Sequence, residues 1–207
     1  MQLSGGHFHH IDRERTYMDE QLLITGCKRG ESWARKEIYE TYAPTMMSLC
    51  MRYVGNKETA RDLLQDGFIK VFTKIDSYSQ TGAFGGWIYR IFVTTVLEHL
   101  RKAETTKVAI AIDDCPDELE NTDVSALDRL SVDDLLGCVA KLPTGYRTVF
   151  NLYAIEGYSH HEIGEMLGVS ETTSRSQFIR ARNVLQRMVE SLIKEEDVRK
   201  QRAKHIY

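Results

Sequence analysis

The chain contains 207 residues, of which 42% are hydrophobic and 28% charged, and its net charge is −3. This length accommodates one large domain or two small ones, and the composition is that of a globular protein. No stretch approaches the roughly 18–20 apolar residues of a membrane span, and the N-terminus lacks the apolar centre of a secretion signal. We therefore expect a soluble cytoplasmic protein without membrane insertion.

The N-terminal histidines and the cysteines do not form a metal-binding pattern. The four cysteines are widely separated, at positions 27, 50, 115 and 138, and form no CxxC pair. This spacing predicts free thiols, with Cys27 and Cys50 on apolar helix faces. Residues 1–17 are interpreted as a flexible extension, because its histidines (His7, His9 and His10) lack carboxylate or thiolate partners and follow two glycines. Neither a metal nor a cofactor is expected.

Residues 18–106 are predicted to form a first helical domain. Apolar residues at helical spacing predict one helix over Ser32–Tyr42, and Pro44 is expected to open a second helix that ends at Tyr53. Gly55-Asn56 then forms a turn. A last helix is predicted from about Trp87 to Lys102.

The helix after that turn, KETARDLLQDGFIKVFTKI, is amphipathic. Its apolar side is predicted to consist of Ala60, Leu64, Phe68, Val71, Phe72 and Ile75. Its polar residues Asp62, Gln65, Asp66 and Lys70 lie largely elsewhere on the helix surface.

An acidic segment separates this domain from the rest of the chain. Between Val108 and Asp134 there are nine acidic residues and one basic residue, Arg129. From Glu171 to Tyr207 there are nine basic and five acidic residues. Because a structureless connection of this length is unusual inside a compact domain, residues 107–126 are interpreted as a linker.

The second domain is predicted to cover residues 127–193, followed by a basic tail at 194–207. Its first helix is expected over Leu127–Leu142, and Pro143 and Gly157 mark turns. The stretch EIGEMLGVSETTSRSQFIRAR then predicts two short helices around a tight turn. Ser159 and Glu162 fit a capping box.

Three further features complete this helix-turn-helix pattern. Gly168 is expected to supply the positive φ of the turn, and Ser170 is expected to cap the second helix. The packed face of the second helix is predicted to consist of Ser174, Phe178, Ala181, Leu185 and Met188. The opposite face is predicted to consist of Thr172, Ser176, Ile179, Arg180 and Asn183, with Thr173 and Arg175 also early in the helix and Arg182 nearer the packed side. Polar and cationic side chains early in such a helix suit the base edges and phosphates of a major groove.

The pieces EIYETYAPTMMSLCMRYVGNKETARDLLQDGFIKVF, GAFGGWIYRI, EHLRK and LPTGYRTVFNLYAIEGYSHHEIGEMLGVSETTSRSQFIRAR occur in this order. Together they resemble the two conserved domains of the extracytoplasmic-function (ECF) sigma factors of bacterial RNA polymerase. The resemblance covers roughly Asp19 to Leu192 and implies an all-α protein of two helical domains. It also implies three partners: core RNA polymerase, promoter DNA and an anti-sigma factor.

The resemblance assigns a role to each part of the chain. It implies that the first domain binds core polymerase through Asp62, Gln65, Asp66 and Lys70. It implies that the same domain melts the −10 promoter element, with Tyr78, Phe84, Trp87, Tyr89, Arg90, Arg101 and Lys102 as contacts. Phe84 and Trp87 fit a place in the core equally well. The second domain would read the −35 element through Thr172, Thr173, Arg175, Ser176, Ile179 and Arg180. The linker would thread through the polymerase toward the RNA exit path.

Three positions depart from the family pattern. The family often has asparagine near position 94 and aspartate four residues later, where this chain has Thr94 and Glu98. Contacts to the −10 element are therefore the least transferable part of the resemblance. Ser174 replaces a residue that is commonly apolar, which we expect to be a small packing difference.

Two other functions fit parts of the sequence less well. A stand-alone helix-turn-helix regulator would need neither a polymerase-binding helix nor a long linker. A DNA-processing enzyme such as a recombinase needs a placed nucleophile with arginines, or clustered carboxylates that hold a metal. Asp62 and Asp66 share a helix face, but no second carboxylate group lies in an apolar setting. A non-enzymatic initiation subunit is therefore predicted, with no catalytic residue.

Overall fold

The structure, a computed structural model, describes residues 20–106 and 131–204, and within these ranges the regular elements are all helical. The first range contains helix α1 (20–28), α2 (Ser32–Val54), α3 (Lys57–Thr73), a 3₁₀ turn (Ile75–Ser77) and α4 (Phe84–Thr106). The second range contains α5 (Val132–Lys141), α6 (Thr144–Phe150) with a π-helical continuation (Asn151–Ile155), α7 (His160–Leu167) and α8 (Glu171–Lys204). The all-α prediction is confirmed.

The chain divides into two compact units. The first comprises the described chain up to Cys50 together with Glu58–Leu100, and the second comprises Met51–Lys57 and the described chain from Arg101. The predicted extension 1–17 and linker 107–126 lie outside the described residues, so the predicted domain boundaries stay a prediction. The predicted tail from residue 194 is helical as far as Lys204, because α8 continues to that residue.

Helix α2 is continuous through Pro44, so the prediction of two separate helices is wrong. A proline inside a helix removes one backbone hydrogen bond and costs about 3 kcal/mol. Residues on both sides of Pro44 are buried, among them Ile38 before it and Met46 and Leu49 after it. Each such side chain contributes about 1.5–3 kcal/mol when it is buried, which offsets the lost bond.

The buried face of α3 differs in part from the predicted one. Ala60, Phe68 and Val71 are buried as predicted, but Leu63 is also buried while Leu64 and Phe72 are only partly covered. Gly67 explains this rotation, since a Cβ there would lie 2.8 Å from Cδ1 of Phe92 and closer still to Cε1 and Cζ. Gly67 therefore lets α4 approach this side of α3.

Helix α4 begins at Phe84, three residues before the predicted start. The Trp87 amide donates to the Ala83 carbonyl at 3.1 Å, which places Gly85 and Gly86 inside the first turn. Phe84 is only 1% exposed and anchors this turn in the core. The predicted start at Trp87 left the glycine pair outside the helix, but burial of Phe84 favours the longer helix.

The second unit is built around α8, which packs against α5, α6 and α7. Its core includes Val149, Leu152, Ile163 and Ala181, each 0% exposed. Helix α5 begins later than predicted, because the Ser131 side chain caps it and exchanges hydrogen bonds with Asp134. These hydrogen bonds lower the pKa of the Asp134 carboxyl.

Candidate nucleic-acid and partner interfaces

Helix α7 begins and ends as predicted. The Ser159 Oγ accepts from the Glu162 amide at 3.3 Å, and the Glu162 carboxylate accepts from the Ser159 amide at 2.8 Å. These bonds lower the pKa of Glu162. Gly168 ends the helix at φ 71°, a left-handed conformation that glycine adopts without strain. The predicted capping box and turn are confirmed.

Helix α8 starts three residues after this turn. The Ser170 Oγ accepts from the Thr173 amide at 3.0 Å, which confirms the predicted cap. One turn into the helix, the Arg175 guanidinium lies 2.5 Å from the Glu171 carboxylate, and both side chains are exposed. This pairing lowers the pKa of Glu171.

Most of the predicted reading residues face away from the core. Thr172, Arg175 and Ile179 are exposed, and Thr173, Ser176 and Arg180 are partly exposed. Asn183 was expected on the same face but is only 7% exposed, so that assignment is wrong. Val189 is also buried, so the packed face of α8 includes a residue beyond those predicted. Arg182, expected nearer the packed side, is exposed.

Aromatic rings hold the first turns of α8 to the elements before it. The Phe178 ring lies 4.6 Å from Tyr153 and 6.0 Å from Phe150, measured between centroids. Phe178 is partly buried rather than fully enclosed. Ser174 is 0% exposed, and its Oγ lies 2.9 Å from Nδ1 of His160. Ser174 therefore forms a hydrogen bond between α7 and α8. Its departure from the family pattern is more than the small packing difference that we expected.

The outer face of α3 forms a narrow exposed stripe. Asp62, Gln65 and Asp66 are exposed, and Ile69, which is 55% exposed, continues the stripe by one turn. Sequence analysis missed Ile69, although its spacing of three and four from Asp66 and Gln65 is the signal that finds it. Lys70 lies to one side, where its Nζ is 2.7 Å from Glu98 of α4.

The aromatic residues expected to contact −10 DNA are only partly accessible. Tyr78 is 6% exposed and Phe84 1% exposed, so neither ring is placed to stack on a base. Tyr78 donates from its hydroxyl to the Gly82 carbonyl at 2.5 Å. The Trp87 ring, which is partly exposed, packs on Phe84 with centroids 5.7 Å apart. Tyr78 and Phe84 therefore pack against the Trp87 ring and hold it in place.

A cavity of about 250 Å³ opens beside Trp87. Its lining includes Trp87 and Thr94 on α4, the cations Lys70 and Arg90, and Glu98. The remaining predicted contacts lie along the same helix: Tyr89 is partly exposed, and Arg101 and Lys102 are exposed. Two of the three positions that depart from the family pattern, Thr94 and Glu98, therefore line this cavity.

Within residues 20–106 and 131–204, no cluster of three or more histidine, cysteine or carboxylate side chains is arranged to hold a metal ion. In those same ranges, no helix is long and apolar enough to cross a membrane. Cys27, Cys50 and Cys138 are buried free thiols, and burial raises the pKa of each of them.

Both units match known protein families. Residues 38–106 match the family model of Sigma-70 region 2, and residues 133–185 match that of Sigma-70, region 4. The ECF RNA polymerase sigma factor SigW of Bacillus subtilis is 29% identical over 180 residues, covering 82% of this chain and 96% of SigW. The ECF sigma factor SigE of Mycolicibacterium smegmatis is 34% identical over 157 residues, covering 74% of this chain and 60% of SigE.

A solved structure of the sigma factor RpoE with the anti-sigma factor NepR from Bartonella quintana is also similar. It is 20% identical, with a TM-score of 0.47, and covers 75% of this chain and 96% of that one.

With both conserved regions present in order, the chain belongs to the sigma-70 family of transcription initiation factors. Within that family it is an ECF sigma factor, the class of SigW and SigE. Its regions 2 and 4 serve promoter recognition and transcription initiation by RNA polymerase.

Proposed function

We propose that this sigma factor binds core polymerase through the outer stripe of α3, melts the −10 element along α4, and reads the −35 element with the first turns of α8. The observation that carries the proposal is the helix-turn-helix, whose capped second helix presents Arg175, Ser176 and Arg180 away from the packed core. Sigma factors are non-enzymatic, so nucleotide addition is assigned to the core enzyme.

The ion pair at the start of α8 supports its role as the reading helix. Arg175 and Glu171 are both exposed, so water screens the charges and their pairing is weak. A DNA phosphate or a guanine edge can therefore displace Glu171 at little cost. Arg180 lies five residues further along the same helix and is partly exposed.

The −35 proposal is tested by transcription from a promoter library randomised at that element. Arg175→Ala and Arg180→Ala should each reduce promoter use, and at least one should relax a single base position by about 1–3 kcal/mol. Arg187→Ala is the matched control, since it removes the same charge from an exposed position further along α8. Unchanged base preference in both test variants would remove α8 from the role of reader.

The stripe on α3 is suited to a basic, partly apolar partner surface. Two carboxylates, one amide and one aliphatic side chain lie in line over about two turns, at Asp62, Gln65, Asp66 and Ile69. The carboxylates give charge complementarity, and the aliphatic side chain at the end of the stripe supplies apolar area to bury. We therefore add Ile69 to the polymerase-binding residues that the resemblance implies.

A pull-down with core polymerase tests this stripe. The double variant Asp62→Lys/Asp66→Lys and the single variant Ile69→Ser should both weaken binding while helical content is retained. The control is Glu37→Lys/Glu40→Lys, which makes the same change of charge on the exposed side of α2. Equal binding by the stripe and control variants would show that another surface holds the polymerase.

For the −10 element we propose Trp87 as the stacking residue, with Arg90, Arg101 and Lys102 placed to hold phosphates. A base stacked on an aromatic ring contributes about 1–3 kcal/mol. Trp87→Ala should therefore reduce promoter opening, measured by permanganate reactivity of unpaired thymines, while Trp87→Phe should retain part of it. Trp33→Ala makes the same change at an exposed tryptophan of α2 and serves as the control.

An anti-sigma factor is a further proposed partner, as the family resemblance implies. Such a partner would compete with core polymerase for this chain. Native gels with a purified candidate would test this, since a ternary complex with core polymerase would argue against competition.

A further inference from the structure

A buried hydrogen bond joins the two helices of the helix-turn-helix. Ser174 on α8 is 0% exposed, and its hydroxyl lies 2.9 Å from Nδ1 of His160, the first residue of α7. A buried hydroxyl needs a partner, because leaving one unsatisfied costs stability. The hydrogen bond therefore fixes the rotation of α8 about its axis relative to α7. An apolar contact at the same place would allow a wider range of rotations.

The His160 ring is held on its other side as well. It stacks on Tyr153 with centroids 4.1 Å apart and an interplanar angle of 6°, and Phe178 lies 5.8 Å away. The imidazole is thus clamped between the π-helical segment and α8. A ring held in this way transmits its position to the hydroxyl that it contacts.

The charges around His160 favour its neutral form. Burial lowers the pKa of His160, and the nearby Arg175 lowers it further, while Glu171 opposes both effects. The titratable groups close to it in sequence or space are Arg175 and Glu171 on α8, His161 and Glu162 on α7, and the Tyr153 phenol. At neutral pH the ring is therefore uncharged beside the Arg175 guanidinium.

We propose that His160 is a positioning residue for −35 recognition: its neutral ring, bonded to Ser174 and stacked on Tyr153, sets where the first turn of α8 presents Arg175 and Ser176. Ser174 directly precedes these two residues, so a change in its position is passed to them along the backbone. This inference rests on the proposed function of α8 as the −35 reader.

The proposal gives a definite direction of pH dependence. Protonation of His160 places a second cation beside Arg175 and displaces the guanidinium from its reading position. Because the pKa of His160 lies below the ordinary histidine value of about 6.5, selectivity among −35 sequences should fall only as the pH decreases below that value. An imidazolium that merely touched a phosphate would do the opposite, since it would strengthen binding to all sequences alike at low pH.

The test uses the full chain with core polymerase and the −35 library. Selectivity is read as the ratio of transcripts within one reaction, so general effects of pH on the polymerase cancel. Ser174→Ala and His160→Phe, which keeps a ring but lacks Nδ1, should each lower selectivity about threefold to tenfold at the position that Arg175→Ala affects. The double variant should be no worse than the poorer single variant. His161→Phe, at an exposed neighbouring position, is the matched control and should behave as wild type.

The pH series completes the test. The wild-type selectivity should stay constant from pH 8 to about pH 6.5 and fall at lower pH, whereas that of His160→Phe should stay constant throughout. Wild-type selectivity in both single variants, additive losses in the double variant, or an unchanged pH dependence in His160→Phe would each overturn the inference. If Ser174→Ala fails to fold, His160→Phe and the wild-type pH series decide the matter. If the wild-type holoenzyme selects no −35 base, the proposed function itself fails, which is a distinct outcome.

Discussion

At Gly67, the ring of Phe92 on α4 lies directly against the backbone of α3. A Cβ at Gly67 would lie 2.8 Å from Cδ1 of Phe92 and closer to two further ring carbons, whereas ordinary contacts begin near 3.4 Å. The ring has little room to retreat, because Phe92 is 0% exposed and packs on Phe68 with centroids 5.2 Å apart. Gly67→Ala must therefore displace Phe92 or separate the helices.

The size of the effect follows from two opposing contributions. Overpacking a core costs about 1–3 kcal/mol, while replacing glycine by alanine inside a helix contributes about 1 kcal/mol of stability. We expect a net loss of up to about 2 kcal/mol at Gly67. In a unit of this size, a loss of 1 kcal/mol lowers the melting temperature by about 4–8 °C.

Thermal melts followed by circular dichroism measure this directly. Gly86→Ala is the control, because a Cβ there meets nothing within 4 Å and the residue also lies in a helix. The control should melt at the wild-type temperature or slightly above it. If Gly67→Ala melts together with the control, the close packing of α3 against Phe92 is wrong.

Three further changes test other parts of the structure. Ser159→Ala removes the capping box of α7 and should destabilise the second unit by about 0.5–2 kcal/mol in urea unfolding; an unchanged midpoint would contradict the cap. Phe178→Ala should cost less than the roughly 3–5 kcal/mol of a fully buried phenylalanine, since its ring is only partly covered, and a loss above that range would show a more enclosed ring. Burial raises the pKa of the Cys50 thiol to about 12, so iodoacetamide at pH 8 should leave Cys50 unlabelled in native protein and label it in urea, as peptide mapping can check; rapid native labelling would refute the buried thiol.

Local signals in the sequence were sufficient for the helix-turn-helix. The capping box depends on Ser159 and Glu162 and the second cap on Ser170 and Thr173, two pairs whose members lie three positions apart. The turn between the helices depends on Gly168 alone. The exposed side of α3 was also predicted correctly at Asp62, Gln65 and Asp66. Charged and polar side chains at helical spacing indicate a solvent-exposed helix face, whichever element packs on the opposite side.

The remaining features depend on contacts between residues far apart in the chain. Leu63 and Leu64 are equally apolar, and the approach of Phe92 at Gly67 makes Leu63 the buried one of the two. Tyr78 and Phe84 looked available for DNA because aromatic rings beside a loop suit either a core or a ligand, and burial in the first unit assigns them to the core. The roles of the DNA and polymerase contacts stay predictions.

Pro44 and Ser174 show the same difference between what neighbouring residues determine and what distant contacts determine. A proline predicts a helix boundary from its missing amide, yet α2 continues through it because side chains on both sides are buried together. Ser174 looked like a minor substitution until its partner was visible, and His160 lies fourteen residues earlier, on the other helix. Backbone caps and helical periodicity are local features that depend on residues close together in the sequence. Which face is buried, and which buried polar group finds a partner, is decided by side chains that only folding brings together.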